Sequence, residues 1–254
     1  MKISIVTVSF NAQETIVDTL RSVAEQSYHN IEHIVVDGGS KDSTVDLVIE
    51  NSSRVFRFVS ERDNGLYDAM NKGIRMASGD VIGFINADDF YPSSQVLAEV
   101  AKVFEDSSID ACYSDLCYVK QDKPKEIVRY WKSSSCPKNS FTNSWVPPHP
   151  TFFVRREVYE RLSGFNLDYR IAADFELMLR FLKVNSIKSV YVPRVWVHMR
   201  LGGTTNRSVF NIIKQNKEII RALNHHGYSP SLAGFLLKKI HSRAWQFIVR
   251  RAHP

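Results

Sequence analysis

The sequence predicts an α/β fold: a doubly wound, mostly parallel sheet with helices on both faces, followed by a C-terminal helical extension. Two observations carry that prediction. Over the first hundred residues, short and nearly continuous apolar runs alternate with segments of helical periodicity. This is the pattern of strands buried on both faces and joined by crossover helices. Polar and acidic residues also collect at the end of each run: Ser9-Phe10-Asn11, Asp37-Gly38-Gly39-Ser40, Ser60-Glu61-Arg62-Asp63 and Asn86-Ala87-Asp88-Asp89. In open α/β sheets ligands bind beyond the carboxyl ends of the strands.

ISIVTVS (3–9) reads as the first strand, since its apolar run is too short for a leader peptide. A helix follows and ends near Glu25. IEHIVVD (31–37) is the second strand, closed by a GGS turn and followed by a helix through DSTVDLVIE. RVFRFVS (54–60) is the third, and LYDAMNKGIRMA is helical up to Ser78-Gly79. DVIGFIN is the fourth strand, with a helix in SSQVLAEVAKVFED. From Ala111 the pattern loosens. YSDLCYVKQDKPKEIVRYW reads as a strand pair with a polar turn, and CPKNSFTNSWVPPHP as a long loop of the kind that is often functional. TFFVRREVYERL gives a strand and a helix, AADFELMLRFLKV a longer helix, and SVYVPRVWVHMR the last strand.

A chain of 254 residues with 44% hydrophobic content can bury a full core. No apolar run reaches the length of a membrane-spanning helix. Cys112, Cys117 and Cys136 are odd in number and lack CxxC spacing, which argues against a disulfide framework or a zinc site and points to buried thiols in a reducing compartment. The net charge of +6 is localised: the last acidic residue is Glu218, and Arg221, Lys238, Lys239, Arg243, Arg250 and Arg251 stand beyond it unopposed. Residues 1–218 are therefore expected to form one domain, and 219–254 a basic helical extension. Leu232, Leu236, Leu237, Ile240, Ala244, Phe247 and Ile248 recur there at helical spacing. Such a helix suits an anionic membrane surface, which would place the protein in the cytoplasm, peripheral at the inner face of the membrane. The other reading is a terminal helix docked on the domain. Nucleic acid is not an expected partner, because the tail has few aromatic stacking groups.

GFINADDFYP (83–92) sets two adjacent carboxylates at the mouth of an apolar strand. Two such acids can hold one divalent cation, which removes their repulsion and bridges to phosphate oxygens. The first strand-to-helix connection, SFNAQET, has neither GxGxxG nor GxxxxGK[ST], so a dinucleotide dehydrogenase and a P-loop enzyme are disfavoured. The glycine-rich basic loop expected of a sugar-1-phosphate nucleotidyltransferase is absent too.

VSFN, DGGSKDST, DNGLYDAMNKGIRMASGDVIGFINADD, PHPTFFVRREVYERLSGF and AADFELMLRF occur in this order over roughly residues 1–200. Together they resemble the inverting family 2 glycosyltransferases of GT-A fold, of the bacterial surface-polysaccharide type. The resemblance implies transfer of a sugar from a UDP- or GDP-sugar to an acceptor hydroxyl, on a glycan or lipid-linked acceptor, with Mg2+ or Mn2+ as cofactor. Carried over by position, Asp37 contacts the base, backbone from Val8 to Phe10 lines the nucleotide pocket, Asp88 faces the ribose or sugar-proximal phosphate, and Asp89 ligates the metal. Asp63 and Lys72 are further donor-site candidates, and some relatives place a histidine near the metal where His198 stands. Asn86 holds the place of the leading acid in the fuller DxDD form.

Each residue also has a plainer reading. Asp37 and Asp63 are good turn residues, Lys72 can be a solvated charge, and His149 lies between prolines in a loop. Asp88 and Asp89 could cap the next helix, although Pro92 and Ser93 are better placed to begin it. A non-catalytic sugar- or nucleotide-binding module remains the alternative from another class.

For the catalytic base, the family usually places a Glu-Asp pair in AADFELMLRF. Ala173 replaces the glutamate here, leaving Asp174. At about 100° per residue, Asp174 falls within the apolar arc of the helix, whereas Glu176, Arg180 and Lys183 fall opposite. Glu176 is then expected in a solvated ion pair with Arg180. An N-cap role is the competing reading for Asp174.

Overall fold

The computed structural model describes residues 1–138, 140–202, 209–230 and 234–235. β1 (Ile3–Ser9), β2 (Ile31–Asp37), β3 (Val55–Ser60) and β4 (Val81–Asn86) lie in the order β3-β2-β1-β4, all parallel. α1 (Ile16–Ala24), α2 (Thr44–Glu50) and α3 (Leu66–Met76) connect them. Every residue of β1 is buried, as a strand covered on both faces requires. Its side chains alternate, with Ile3 and Ile5 entering one core and Val6 and Val8 the other. α1 buries Ile16, Leu20 and Val23, which share one helical stripe. α3 lies close on β1 because residue 73 is glycine: a Cβ there would stand 2.2 Å from Val6 Cγ1.

Beyond β4 the sheet becomes mixed. In chain order come β5 (Asp89–Phe90), α4 (Val96–Val103), β6 (Ala111–Val119), β7 (Ile127–Trp131), β8 (Phe153–Arg155), α5 (Arg156–Leu162), α6 (Ala173–Leu179), β9 (Ser189–Arg200) and α7 (Val209–His225). The sheet continues β4-β8-β6-β9-β5, and β7 also pairs with β6. β9 is parallel to β6, whereas β8, β7 and β5 are antiparallel to their partners. α6 runs on into a π-helical turn, Arg180–Val184. The α/β architecture and each strand and helix expected over 1–200 are present. The two-residue β5 was not expected, because it is too short to carry a periodicity and forms only by pairing with β9.

α7 runs unbroken through 218/219, where the extension was expected to begin, and Glu218, Ile219, Ala222 and Leu223 are buried. The basic amphipathic helix read beyond it lies outside the described residues, apart from Gly234 and Phe235. Phe235 is buried in the core that α6 and α7 share, and Ser144 donates to its carbonyl (2.9 Å). Among the described residues no helix is long and apolar enough to cross a membrane. The three cysteines are free thiols; Cys112 and Cys117 are buried, while Cys136 is only half-buried.

Candidate active site

Asp37 closes β2 and is fully buried. Its Oδ1 accepts the hydroxyls of Ser9 (3.0 Å) and Ser40 (2.5 Å). Its Oδ2 accepts the Gly39 and Ser40 N–H groups (3.0 and 2.8 Å) and the Ser60 hydroxyl (2.7 Å). Burial opposes ionisation, but these donors, Ser40 foremost, hold the carboxyl below its usual range. With no exposed surface and both oxygens engaged, Asp37 is not placed to touch a base. It ties together the ends of β1, β2 and β3 instead.

A different group stands on the surface above it. Phe10 is 62% exposed at the end of β1. A Cβ on Gly38 would stand 2.5 Å from Asp63 Oδ2 and 3.5 Å from the Phe10 ring, so both side chains border the bare glycine. Asp63 Oδ1 accepts the Gly65 N–H (2.8 Å), as the turn reading has it, and Oδ2 remains beside Gly38. Val8 is buried and can offer only backbone. Lys72 pairs with Glu61 (2.9 Å) and donates to the Arg62 carbonyl (3.2 Å), so its ammonium rests on the loop after β3.

β4 delivers Asn86, Asp88 and Asp89 to the same edge. Asp89 is fully buried, with Oδ2 3.2 Å from Asn86 Nδ2, while Asp89 Oδ1 and Asn86 Oδ1 have no hydrogen-bond partner. Burial first, and then the charge of Asp88, push the Asp89 carboxyl well above its usual range. Arg200 is buried beside the pair, donating to the Asp88 carbonyl (2.9 Å) and pairing with Asp18 (2.5 Å). Partnerless buried oxygens next to a second carboxylate form an all-oxygen donor set that fits a hard divalent cation. Among the described residues no cluster of three His, Cys, Asp or Glu forms, so further ligands would come from elsewhere. The cap reading fails for both acids, because α4 starts at Val96 with no side-chain cap.

His198 does not join this set. Phe90 faces His198 and Asp89 faces Met199 across the β5–β9 ladder. Cross-strand partners share a face and successive residues alternate, so His198 and Asp89 point to opposite faces. The imidazole packs edge-on against Phe90 (5.3 Å), and burial lowers its pKa to about 4.

Asp174 sits in the first turn of α6, at 24% side-chain exposure. Its Oδ1 lies 3.0 Å from the hydroxyl of Tyr67, whose one proton is shared with the Ile171 carbonyl, also at 3.0 Å; Tyr67 comes from the first turn of α3 and brings Asp174 to the strand-end edge. Burial, reinforced by the Asp174 charge, pushes the Tyr67 phenol far above its usual range, so it remains a donor. His149 Nδ1 stands 3.5 Å from Asp174 Oδ2. The N-cap position of α6 is Ala172, without a side-chain cap, and Asp174 lies inside the first turn; Glu218 on α7 accepts the Ile171 and Ala172 N–H groups just before the helix (2.8 and 3.0 Å). Asp174 is therefore not the cap.

Glu176 departs from expectation. It does pair with Arg180 (2.9 Å), but it is only 2% exposed and also meets His226 Nε2 (2.9 Å). On the helix face read as solvated, Glu176 meets His226 just beyond α7, Arg180 donates to the Gly164 carbonyl and Lys183 to that of Pro137, contacts the local periodicity of α6 could not reveal. Arg200, Tyr67, His149 and Glu218 were not anticipated at the site; the prolines around His149 were the one visible hint of a rigid loop.

Residues 4–163 match the family described as Glycosyl transferase family 2. An uncharacterized glycosyltransferase of Mycobacterium tuberculosis is 34% identical over 180 residues, covering 70% of this chain and 68% of that protein. A PGL/p-HBAD biosynthesis glycosyltransferase of Mycobacterium bovis is 26% identical over 254 residues, covering 98% of this chain and 93% of its own. Among solved structures, S. aureus TarS 1-349 in complex with UDP-GlcNAc superposes with a TM-score of 0.69 at 16% identity, over 95% of this chain and 73% of that one. The mannosyltransferase PcManGT of Pyrobaculum calidifontis, in complex with GDP-Man and Mn2+, gives 0.65 at 19% identity, over 99% and 73%. With its fold and its matched residues in agreement, the chain belongs to glycosyltransferase family 2 and has the GT-A fold.

Proposed function

We propose that this chain transfers a sugar from a UDP- or GDP-sugar to an acceptor hydroxyl with inversion, using Asp174 as the base. The observation that carries this reading is the state of Asp174: partly exposed, not at the cap position of its helix, and brought by Tyr67 to the edge where Asp88 and Asp89 stand. Phe10 and Asp63 would meet the nucleoside, a reading supported by the exposed Phe10 ring and by the approach of both side chains to Gly38. Asp88 and Asp89 would hold Mg2+ or Mn2+, which as a Lewis acid stabilises charge on the departing diphosphate. Asp174 takes the proton of the acceptor hydroxyl as its oxygen bonds to the anomeric carbon and the bond to the nucleotide diphosphate breaks. A single displacement of this kind inverts the anomeric centre.

A lipid-linked acceptor in surface-polysaccharide assembly, at an anionic membrane face, belongs to the same proposal. Its support is the name of the Mycobacterium bovis relative and the unopposed basic residues beyond Glu218.

A panel of UDP- and GDP-sugars, assayed for nucleotide diphosphate release with the product anomer read by NMR, tests the reading. Inverted product is expected. Retained configuration would remove the single displacement, release of sugar 1-phosphate would indicate nucleotidyl chemistry, and binding without turnover a non-catalytic module. For the membrane clause, the chain should sediment with anionic vesicles at low salt and lose this when truncated at Ser231.

A further inference from the structure

A cavity of about 860 Å³ opens between α3, α5, α6 and α7, but several of its polar liners, among them Asn71, Arg156, Glu176 and Arg180, are already bonded within the protein. The surroundings of Asp174 are different. Two segments distant in sequence converge on its carboxylate, Tyr67 at Oδ1 (3.0 Å) and His149 at Oδ2 (3.5 Å). An ionised carboxylate offers about four lone-pair sites, and these neighbours address two of them. The rest of the group is open, since Asp174 and His149 keep 24% and 21% side-chain exposure.

The chain fixes His149 in place. It begins a single 3-10 turn between Pro148 and Pro150, and Phe152 N–H returns to its carbonyl (3.0 Å). The buried Thr151 pins that turn to β6: its hydroxyl lies 2.8 Å from the Pro148 carbonyl and 3.1 Å from the Ser114 carbonyl, and it accepts the Ser114 N–H (3.1 Å). A side chain held by packed neighbours on a rigid element is suited to aiming another group.

We propose that His149 is a positioning residue for the base: its neutral imidazole donates Nδ1–H to Asp174 Oδ2 while Tyr67 serves Oδ1, so that a remaining lone pair faces the acceptor hydroxyl. The inference rests on Asp174 being the base. The terminal torsion of an aspartate is broad, so one donor leaves the carboxylate free to rotate and two fix it. Small misplacements of a reacting group cost large factors in rate. Neutrality of the donor matters, because a full positive charge at this distance would lower the basicity of Asp174. Burial holds the His149 imidazole below its ordinary pKa against the opposing pull of Asp174. A separation of 3.5 Å is long for a hydrogen bond, and contacts of this kind commonly tighten when substrate binds.

The test compares His149→Leu, which removes the donor, with His149→Asn, whose amide N–H can take the place of Nδ1–H. Turnover is followed as nucleotide diphosphate release from whichever UDP- or GDP-sugar the wild-type chain consumes. The imidazole tautomer of His149 is read separately from its 15N chemical shifts. Expected are a kcat lower by about tenfold to a hundredfold in His149→Leu with donor KM nearly unchanged, recovery of most of that loss in His149→Asn, and the Nδ1–H tautomer in the wild type. Wild-type kcat in His149→Leu, or a dominant Nε2–H tautomer, overturns the proposal. Should His149→Leu fail to fold, the Asn variant and the tautomer still decide. Inactive Asp174→Asn beside fully active His149→Leu removes only this inference, whereas near-normal Asp174→Asn removes the base reading and this inference with it.

Discussion

Glu218 Oε2 lies 3.0 Å from the backbone nitrogen of Ala172, the N-cap residue of α6, and 2.8 Å from that of Ile171. The first N–H groups of a helix lack partners within it, and a negative charge there is favoured by the helix dipole. α7, which lies beyond the family-matched residues 4–163, thus organises the turn that carries Asp174. In Glu218→Leu both N–H groups lose their acceptor, at a cost of about 1–3 kcal/mol each when buried. Melting temperature should fall by several degrees and turnover with it, and Glu218→Gln, which keeps a carbonyl acceptor, should restore much of both. An unchanged melting curve for Glu218→Leu would show that the cap contributes nothing.

Asp174 and Glu176 are two residues apart and should fail in opposite ways. Asp174→Asn keeps size and packing but loses the base, so kcat should drop about a hundredfold or more while donor binding and melting temperature hold. Glu176 is buried between Arg180 and His226. Glu176→Gln leaves the Arg180 charge without its counter-ion, which costs about 3–5 kcal/mol when a buried pair is broken. The protein that remains folded should keep its kcat. Parallel thermal melts and initial rates distinguish the two, and a stable but inactive Glu176→Gln would move the base to residue 176.

Asp89 predicts a linked pair of effects. Excess chelator should abolish turnover and Mn2+ should restore it, whereas Asp89→Asn should be inactive and indifferent to added Mn2+. Without a cation, burial and Asp88 both oppose the Asp89 charge. The chelated Asp89→Asn protein should therefore melt no lower than the chelated wild type. Full turnover in excess chelator would sink the cation reading.

The parallel half of the sheet was legible because burial on both faces writes continuous apolar runs into the sequence, and strand ends follow directly from them. Asp88 and Asp89 follow the end of β4 and Asp174 stands in the first turn of α6, so their positions along the chain could be read from clearly patterned elements. Legibility stopped where a role depends on a partner distant in sequence. Nothing near Asp37 says that Ser9 and Ser60 will saturate it, and nothing near Glu176 says that His226 will cover it. His198 was misplaced by a matter of parity, since its face is set by the unforeseen two-residue β5.

Acid should destabilise the fold in two successive windows that begin at adjacent residues of β2. His33 is buried, with Nε2 2.9 Å from the Thr7 hydroxyl, and burial lowers its pKa from 6.5 to about 3. Glu32 is 1% exposed on the opposite face; although burial opposes its ionisation, hydrogen bonds from Lys2, Ser4 and Ser78 lower its pKa from 4.5 to about 2. Both folded-state values lie below the unfolded ones, so the unfolded chain binds more protons, and stability falls as pH falls. The His33 contribution is complete above pH 6.5 and is lost progressively from there toward about 3. The Glu32 contribution is complete above pH 4.5 and is lost toward about 2. Each group adds at most about 1.4 kcal/mol per pH unit within its window. His198 and His149, also lowered by burial, add to the first window, so the wild-type slope alone does not isolate His33. His33→Gln does, because the amide can keep the bond to Thr7 without titrating. Urea midpoints at pH 7.5, 6, 5 and 4 (the choice of points spans roughly the first window) should decline for the wild type and decline less steeply for His33→Gln. Parallel curves for the two proteins between pH 7.5 and 5 would mean that His33 takes up its proton in the folded state as readily as in the unfolded chain.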